Sequence, residues 1–279
     1  MKPAPFEYLR PVSVDEAVAA LAAHVDAGEE AKILAGGQSL VPLLALRMAR
    51  PALLVDVNRI PGLAEVSSAD GVVEFGALVR HSALAAQVEH PLLAEASRWI
   101  GHPAIRSRGT LAGSLAHADP SAELPVVAVA CGAVATVVGP AGTRRVPAGE
   151  LFVGPLMSAL GEDEMVTSVH FPVPSRWGFA EFARRHGDFA LVSAVVAELD
   201  GTVAIALGGV GPVPVRAADA ERALAGGGSV DEVASAVRDE LNPTGDLHAS
   251  AEYRRALAGE LVGRALRQAR YRAEATHAR

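Results

Sequence analysis

The segment AKILAGGQSL, residues 31–40, decides how the chain is read. An apolar pair, Ile33-Leu34, runs into Gly36-Gly37; the small polar residues Gln38 and Ser39 follow, and apolar character resumes at Leu40-Val41. Residues 31–35 therefore predict a strand. Two glycines directly behind a strand admit two explanations: a tight turn, or a backbone that must let a ligand come close. A short helix is expected next, through Leu40, Leu43, Leu44 and Met48, with Pro51 as its stop. LLVDV (53–57) reads as another strand, so strand, helix and strand make a small parallel βαβ unit.

Upstream, Ser13 opens a helix with Glu16 three residues later as a capping box, and Val14, Val18, Leu21 and Val25 form one apolar stripe. Downstream of about residue 60 the pattern turns α+β. VVEFGALV (72–79) predicts a strand, PLLAEASRWI (91–100) a helix, SAELPVVAVAC (121–131) a helix and AVATVVG (133–139) a strand. Gly139-Pro140-Ala141-Gly142 turns the chain into TRRVP, and EMVTSVHFPVP (164–174) predicts a strand ending at proline. PVPSRWG (172–178) reads as a domain boundary. Three β-rich runs follow, FAEFARRH (179–186), FALVSAVVAEL (189–199) and TVAIALGGV (202–210), the middle one suited to a buried strand. Residues 217–275 are helical in pattern, broken by GGGS at 226–229 and by Asn242-Pro243. No internal repeat is visible.

Composition narrows the function classes. The 279 residues suffice for one large or two small domains, and half are hydrophobic. Only 4% are aromatic, so Ala, Val and Leu build the core. A formal charge of −7, with no basic stretch, argues against nucleic-acid binding. The apolar runs are too short and interrupted to span a membrane, and MKPAPFEYLRP lacks the apolar core of a signal peptide, so a cytoplasmic protein is expected. The single cysteine, Cys131, cannot by itself hold an iron–sulfur cluster or a Cys-rich zinc site, and its apolar surroundings suit a core thiol.

RSRGTLAGSLAHADPSAELP, residues 106–125, raises the same question as the first segment. Thr110, Ala112, Gly113 and Ser114 cluster where the chain turns, and a helix is expected near Glu123. Loops of small residues expose backbone N–H groups as an anion-binding nest, and a following helix start adds positive potential. Hydroxyls of Ser39, Thr110 and Ser114 add donors. A pyrophosphate between two such loops would need no lysine, which suits a dinucleotide. Other signatures fail. No G-x-G-x-x-G follows the first strand, and in LGGVGPVPV (207–215) prolines stand where a helix should begin. There is no P-loop, no H-E-x-x-H and no G-x-S-x-G. Ser114, His117 and Asp119 are sequence neighbours, and a catalytic triad is assembled from distant segments.

With AGGQSL behind a strand and RSRGTLAGSLAHADPSAELP some seventy residues later, the chain resembles the FAD-binding medium subunits of the molybdenum hydroxylases, the family of aerobic carbon monoxide dehydrogenase and xanthine dehydrogenase. FEYLRPVSVDEAVAAL, IGHPAIRSRGT, EDEMVTSVHFP and RRHGDFALVSA carry the same resemblance over nearly the whole chain. It implies an α+β fold: a two-part PCMH-type FAD-binding domain over 1–175 (a βαβ subdomain, 1–58, and an α+β subdomain, 59–175). A C-terminal domain of carbon monoxide dehydrogenase flavoprotein type, a small antiparallel sheet with a helical bundle, is implied over 177–279.

By resemblance, Ala35, Gly36, Gly37, Gln38 and Ser39 wrap the FAD pyrophosphate, with Ile33, Leu34 and Leu40 beside them. Thr110, Leu111, Ala112, Gly113 and Ser114 form the second wall. Most relatives have Gly-Gly at 112–113, so the Ala112 methyl requires a negative φ and a clear path past the cofactor. Glu123 matches an acidic position reaching the ribityl or pyrophosphate region, and is equally explained as a helix N-terminal carboxylate. Asp119 fits an Asx-turn or a cofactor contact. Ile100 and Gly101 match positions near the isoalloxazine, and Met165 and Val166 a strand touching the adenine or flavin side. Phe189 sits where some relatives have a tyrosine beside the flavin ring, and an aromatic in an apolar run equally suits the core. Arg184 and Arg185 are nearest to a basic position that relatives place after the boundary, and they suit surface pairing equally.

The resemblance implies noncovalent FAD and an electron-transfer role. Molybdenum-pterin and [2Fe–2S] cofactors belong to a large and a small partner subunit, in a dimer of heterotrimers. The FAD subunit passes electrons from the clusters to an external acceptor. Two other classes stay open at this point: a stand-alone nucleotide- or anion-binding protein, and a self-contained flavin oxidase.

Overall fold

The computed structural model describes residues 2–277, with side chains through Arg270. The first unit comprises β1 (Glu7–Leu9), α1 (Val14–Asp26), β2 (Ala31–Leu34), α2 (Leu40–Ala45) and β3 (Leu53–Asp56). Its sheet runs β1-β3-β2, parallel throughout, with Ile33 opposite Val55. The expected βαβ unit is present, extended by β1, whose three residues are too few to show a period. At the start of α1 the Ser13 side chain accepts from Glu16 N–H at 3.2 Å. The Glu16 carboxylate reaches back to Val12 N–H at 2.8 Å, so the capping box is displaced by one residue. Helix α2 stops at Ala45 and leaves Met48 exposed, because Arg47 turns into the left-handed region at φ 57.

The second unit holds β4 (Val66–Ala69), β5 (Val72–Gly76), α3 (His81–Leu84), α4 (Pro91–Trp99), α5 (Pro103–Arg106), α6 (Leu111–His117) and α7 (Glu123–Ala130). It continues with β6 (Val134–Gly139), β7 (Gly142–Pro147), α8 (Ala148–Leu151), the short hairpin β8 (Phe152–Gly154) and β9 (Met157–Ser158), and β10 (Met165–Pro172). The main sheet is antiparallel in the order β4-β5-β10-β6-β7. Strand β5 ends at Gly76, three residues before the expected limit. The carbonyls of Ala77 and Val79 are instead taken by Ala112 and Leu111 N–H, which fastens the second glycine loop to the sheet. Every residue of α7 is buried, so it shows no polar face and lies at the centre of the molecule.

The third unit is the antiparallel sheet β11 (Arg176–Phe182), β12 (Val192–Leu199), β13 (Thr202–Gly208), β14 (Val215–Arg216), followed by α9 (Ala218–Ala225), α10 (Val230–Glu240) and α11 (Ala251–His277). The run expected as a strand over 179–186 leaves the sheet after Phe182, and Arg184, Arg185 and His186 stand in an exposed loop. The sheet is buried on both faces. Phe179, Val195, Ala197 and Ala206 join the core around α4 and α7, while Val192, Ala194, Val196, Ile205 and Leu207 pack on Val237, Leu261, Val262 and Ala265. This double burial is why 192–197 carries no apolar–polar alternation. The joint at 172–178 is pinned: Val173 N–H bonds the Gly71 carbonyl at 2.8 Å, and Ser175 N–H the Glu198 carbonyl at 2.9 Å. Among the described residues no helix is long and apolar enough to cross a membrane.

Candidate functional site

The first glycine loop leaves the C-terminal end of β2, at the edge of the parallel sheet, where open α/β sheets gather ligands. The Asn58 amide donates to the carbonyls of Leu34 at 3.3 Å and Ala35 at 2.8 Å. Asn58 is itself held by Asp56 Oδ1, through its backbone N–H at 3.0 Å and its amide at 2.6 Å. Asp56 accepts from the Tyr8 hydroxyl and faces Arg10 at 3.5 Å. Burial works to raise its carboxyl, but hydrogen bonds from Tyr8 and Asn58, with the Arg10 charge, outweigh that and hold it below the usual range. Arg80 closes the chain of contacts. Its guanidinium donates to Asn58 Oδ1 at 2.6 Å and to the carbonyl of Arg108 in the second loop. None of these five polar residues was singled out from sequence. The available signal was the polar Asp56 and Asn58 at the end of an apolar parallel strand.

The two loops touch. Gly36 is buried, and a Cβ there would run into the Arg108 carbonyl and come within 2.8 Å of the Gly109 Cα. Gly37 takes φ +73, a region costly for residues with a side chain. The glycines thus serve both readings of the opening segment: a close backbone approach at Gly36 and a left-handed turn at Gly37. The turn leaves donors over. Among the described residues the N–H groups of Gly36, Gly37, Gln38, Ser39 and Leu40 find no acceptor, and the Ser39 hydroxyl makes no capping bond. The Gln38 amide donates to the Gly36 carbonyl at 3.1 Å and steadies the turn. A run of N–H donors free of side-chain cover fits a phosphate-bearing cofactor.

The second loop differs from expectation. Thr110 is buried, and its hydroxyl accepts from Gly113 N–H at 3.2 Å as the cap of α6. Leu111 and Ala112 donate to the β5 extension and Ser114 to the Thr110 carbonyl. This wall therefore offers few free backbone donors; its exposed surface is that of the half-buried Gly113 and Ser114. Leu111 and Ala112 point into the core, so the Ala112 methyl occupies no cofactor space.

The remaining predicted residues scatter around this centre. Ile33, Leu34, Ala35 and Leu40 are half-buried around the first loop. Ile100 is buried and Gly101 half-buried, their carbonyls both bonded by Arg106 at 2.8 and 2.9 Å. Met165 and Val166 are core residues, Met165 packing with the first unit. Phe189 is no core aromatic: it is 70% exposed in the loop after β11, because that segment leaves the sheet. Asp119 forms the Asx-turn, Oδ1 accepting from Ser121 N–H at 2.8 Å. Cys131 is buried, and burial pushes its thiol up to about 12, which leaves no reactive thiolate.

Glu123, the first residue of α7, is buried, and burial raises its carboxyl with Asp119 adding to the effect. Glu181, on β11, is also buried and raised, by desolvation and by the charge of Glu123. Glu181, Trp99, Phe182, Ala183, Arg185, His186 and Gly187 line a cavity of about 220 Å³ between the end of α4 and the 183–187 loop.

Residues 4–174 match the family described as the FAD binding domain in molybdopterin dehydrogenase, and residues 177–269 the CO dehydrogenase flavoprotein C-terminal domain. The chain is 42% identical over 294 residues to the 6-hydroxypseudooxynicotine dehydrogenase complex subunit alpha of Paenarthrobacter nicotinovorans, covering 99% of this chain and 98% of the relative. It is 39% identical over 283 residues to the nicotine 6-hydroxylase medium subunit of the same organism, covering 96% and 99%. Among solved structures it superposes on a chain of carbon monoxide dehydrogenase from Hydrogenophaga pseudoflava with TM-score 0.90 and 38% identity, covering 98% and 99%. Both Paenarthrobacter relatives are named as subunits of larger enzymes. The chain belongs to the FAD-binding medium subunits of the molybdenum hydroxylases, flavoproteins that carry electrons within an oxidoreductase complex.

Proposed function

We propose that Ala35, Gly36, Gly37, Gln38, Ser39 and Leu40 cradle the FAD pyrophosphate in the complex, with Thr110, Gly113 and Ser114 as the facing wall. The observation that carries this reading is the run of five N–H groups over 36–40 without an acceptor in the chain. When bound, FAD supplies the chemistry of accepting electrons and passing them on in pairs or singly. The chain's own residues bind and orient. Asn58 and Arg80 fix the loop carbonyls away from the anion, and the left-handed Gly37 turns consecutive N–H groups toward it. Ile100 and Gly101 border the space for the ring system, and the exposed Phe189 is available to cover one of its faces. Ile33, Leu34, Leu111, Ala112, Met165 and Val166 support the site from behind. Glu123 stands as a buried acid facing the same region.

A single, buried cysteine cannot ligate an iron–sulfur cluster, so the clusters and the molybdenum-pterin are assigned to the partner subunits. A dimer of heterotrimers is the assembly we infer, with a break after residue 175 separating the FAD-binding part from the C-terminal domain. The substrate is selected in the large subunit. The names of the two bacterial relatives make a nicotine-type N-heterocycle the first compound to try. The test is direct: purify the chain, denature it, and identify released cofactor by mass and absorbance. Stoichiometric FAD is expected. A chain that neither carries nor takes up flavin, alone or with its partners, would reduce the cradle to an ordinary turn.

A further inference from the structure

Among the described residues Glu181 forms no ion pair. It is 8% exposed, and its Oε2 has no hydrogen-bond partner. On β12 its cross-strand neighbour is Ser193, fully buried, whose hydroxyl is also without a partner. Directly paired residues share a face of the sheet, so both orphaned oxygens lie on the same face. Buried polar atoms left in this way cost free energy unless a ligand or a water completes them. The facing helix, α7, contributes Glu123, with Asp119 just before it. The cavity rim contributes Arg185 and His186, both exposed to solvent, and Trp99 contributes an apolar wall. Burial raises both carboxyls, and the charge of Glu123 adds to the effect on Glu181; a carboxyl in its neutral form is an O–H donor.

The cavity that Glu181 lines begins at Trp99, next to Ile100 and Gly101. We propose that Glu181 is a positioning residue of the flavin pocket: its carboxyl donates a hydrogen bond from the cavity wall to an acceptor on the cofactor. Carbonyl oxygens and ring nitrogens of the flavin are acceptors of the required kind. The proposal rests on the assignment of FAD to this chain.

The experiment uses the full-length chain, stripped of flavin and titrated with FAD by fluorescence quenching, at neutral pH and at about pH 9. Wild-type affinity is expected to fall about twofold by pH 9, where about half of the Glu181 carboxyl, raised by burial to about 9, is ionised. Glu181→Gln donates without ionising, so its affinity should stay near wild type and lose that alkaline fall. Glu181→Leu should bind about tenfold more weakly at neutral pH and shift the visible absorption of the bound flavin, with its far-UV spectrum unchanged. Wild-type affinity that is flat with pH overturns the proposal without any variant. So does Glu181→Leu binding like wild type, or an alkaline fall that persists in Glu181→Gln. A wild-type chain that binds no FAD under any condition overturns the cofactor assignment, and this proposal with it.

Discussion

At the residue scale, Gly36 and Gly37 do different work although they are adjacent. Gly36 admits the backbone of the second loop, and a methyl there meets the Arg108 carbonyl, which is itself held by Arg80. Gly37 supplies the left-handed turn, with Val41 and Leu34 side chains 3.1 and 3.2 Å from where a Cβ would sit. Gly37→Val is therefore expected to abolish FAD retention. The strain of a β-branched residue at positive φ, on the order of 1–3 kcal/mol, is confined to one surface loop and leaves the fold standing. Bound flavin per chain after gel filtration, read beside the far-UV spectrum, checks it. Full flavin occupancy in that variant would show that the turn does not shape the cradle. Thr110 carries a different lesson: its hydroxyl is committed to Gly113 N–H, so a residue type that suggests a ligand donor serves here as a helix cap.

At the scale of elements, side chains from β1, the end of β3 and the start of α3 tie the two loops to each other. Asn58 is the hinge-pin of that tie, bonded to Leu34, Ala35, Asp56 and Arg80. Asn58→Ala should cost about 1–3 kcal/mol, since it strands two loop carbonyls and an arginine, and should weaken FAD binding more than it weakens the fold. Urea denaturation and FAD titration on the same sample separate the two effects; unchanged FAD affinity would count against the tie. Much of the secondary structure is legible in the chain. The stripe Val14, Val18, Leu21, the all-apolar 126–130 and the alternation of 134–139 each follow from local period and burial. The short elements β1, β4, α3, α5 and β14 are not, because two to four residues carry no period. The strand pattern of 179–186 and 189–199 overruns into the loop on both sides, because pairing of the two strands ends at Phe182 opposite Val192 and leaves 183–191, Phe189 included, outside the sheet.

At the scale of the whole molecule, buried titrating groups bound stability on both sides of neutrality. His90 caps α4: its Nδ1 accepts from Leu93 N–H at 3.1 Å, and its Nε2–H donates to the Pro172 carbonyl at 3.1 Å. His81 donates from Nε2 to the Thr110 carbonyl at 2.9 Å, and its buried Nδ1 has no partner among the described residues. Burial lowers both rings from 6.5 to about 4, so both are neutral in the fold. A lowered histidine contributes stability that is present above the unfolded value and is lost as pH falls through the folded one. Stability should therefore decline from about pH 6.5 toward pH 4, by roughly 3 kcal/mol per ring. Denaturation midpoints across that range check the sign, and His90→Gln should flatten part of the slope. Glu123 and Glu181 act in the opposite direction. Their raised carboxyls favour the fold when protonated, and that contribution is lost as pH rises from the normal carboxylate range through the raised values.

The family, the two glycine loops, the α+β class and the lack of cysteines for an iron–sulfur cluster are all legible in the chain. Those rest on local pattern, on ordered motifs and on a cysteine count, and none of them requires knowing what lies across space. The tertiary structure alone decided which loop keeps free N–H donors. It decided that the Ala112 methyl lies in the core while Phe189 stands in solvent, and that Glu123 meets Glu181 from a segment nearly sixty residues away. The physical reason is the same in each case. A hydrogen-bond donor is free, a methyl is buried and a carboxyl is protonated because of what the fold packs against it, and that neighbour is set by long-range contacts with no local signature in the chain.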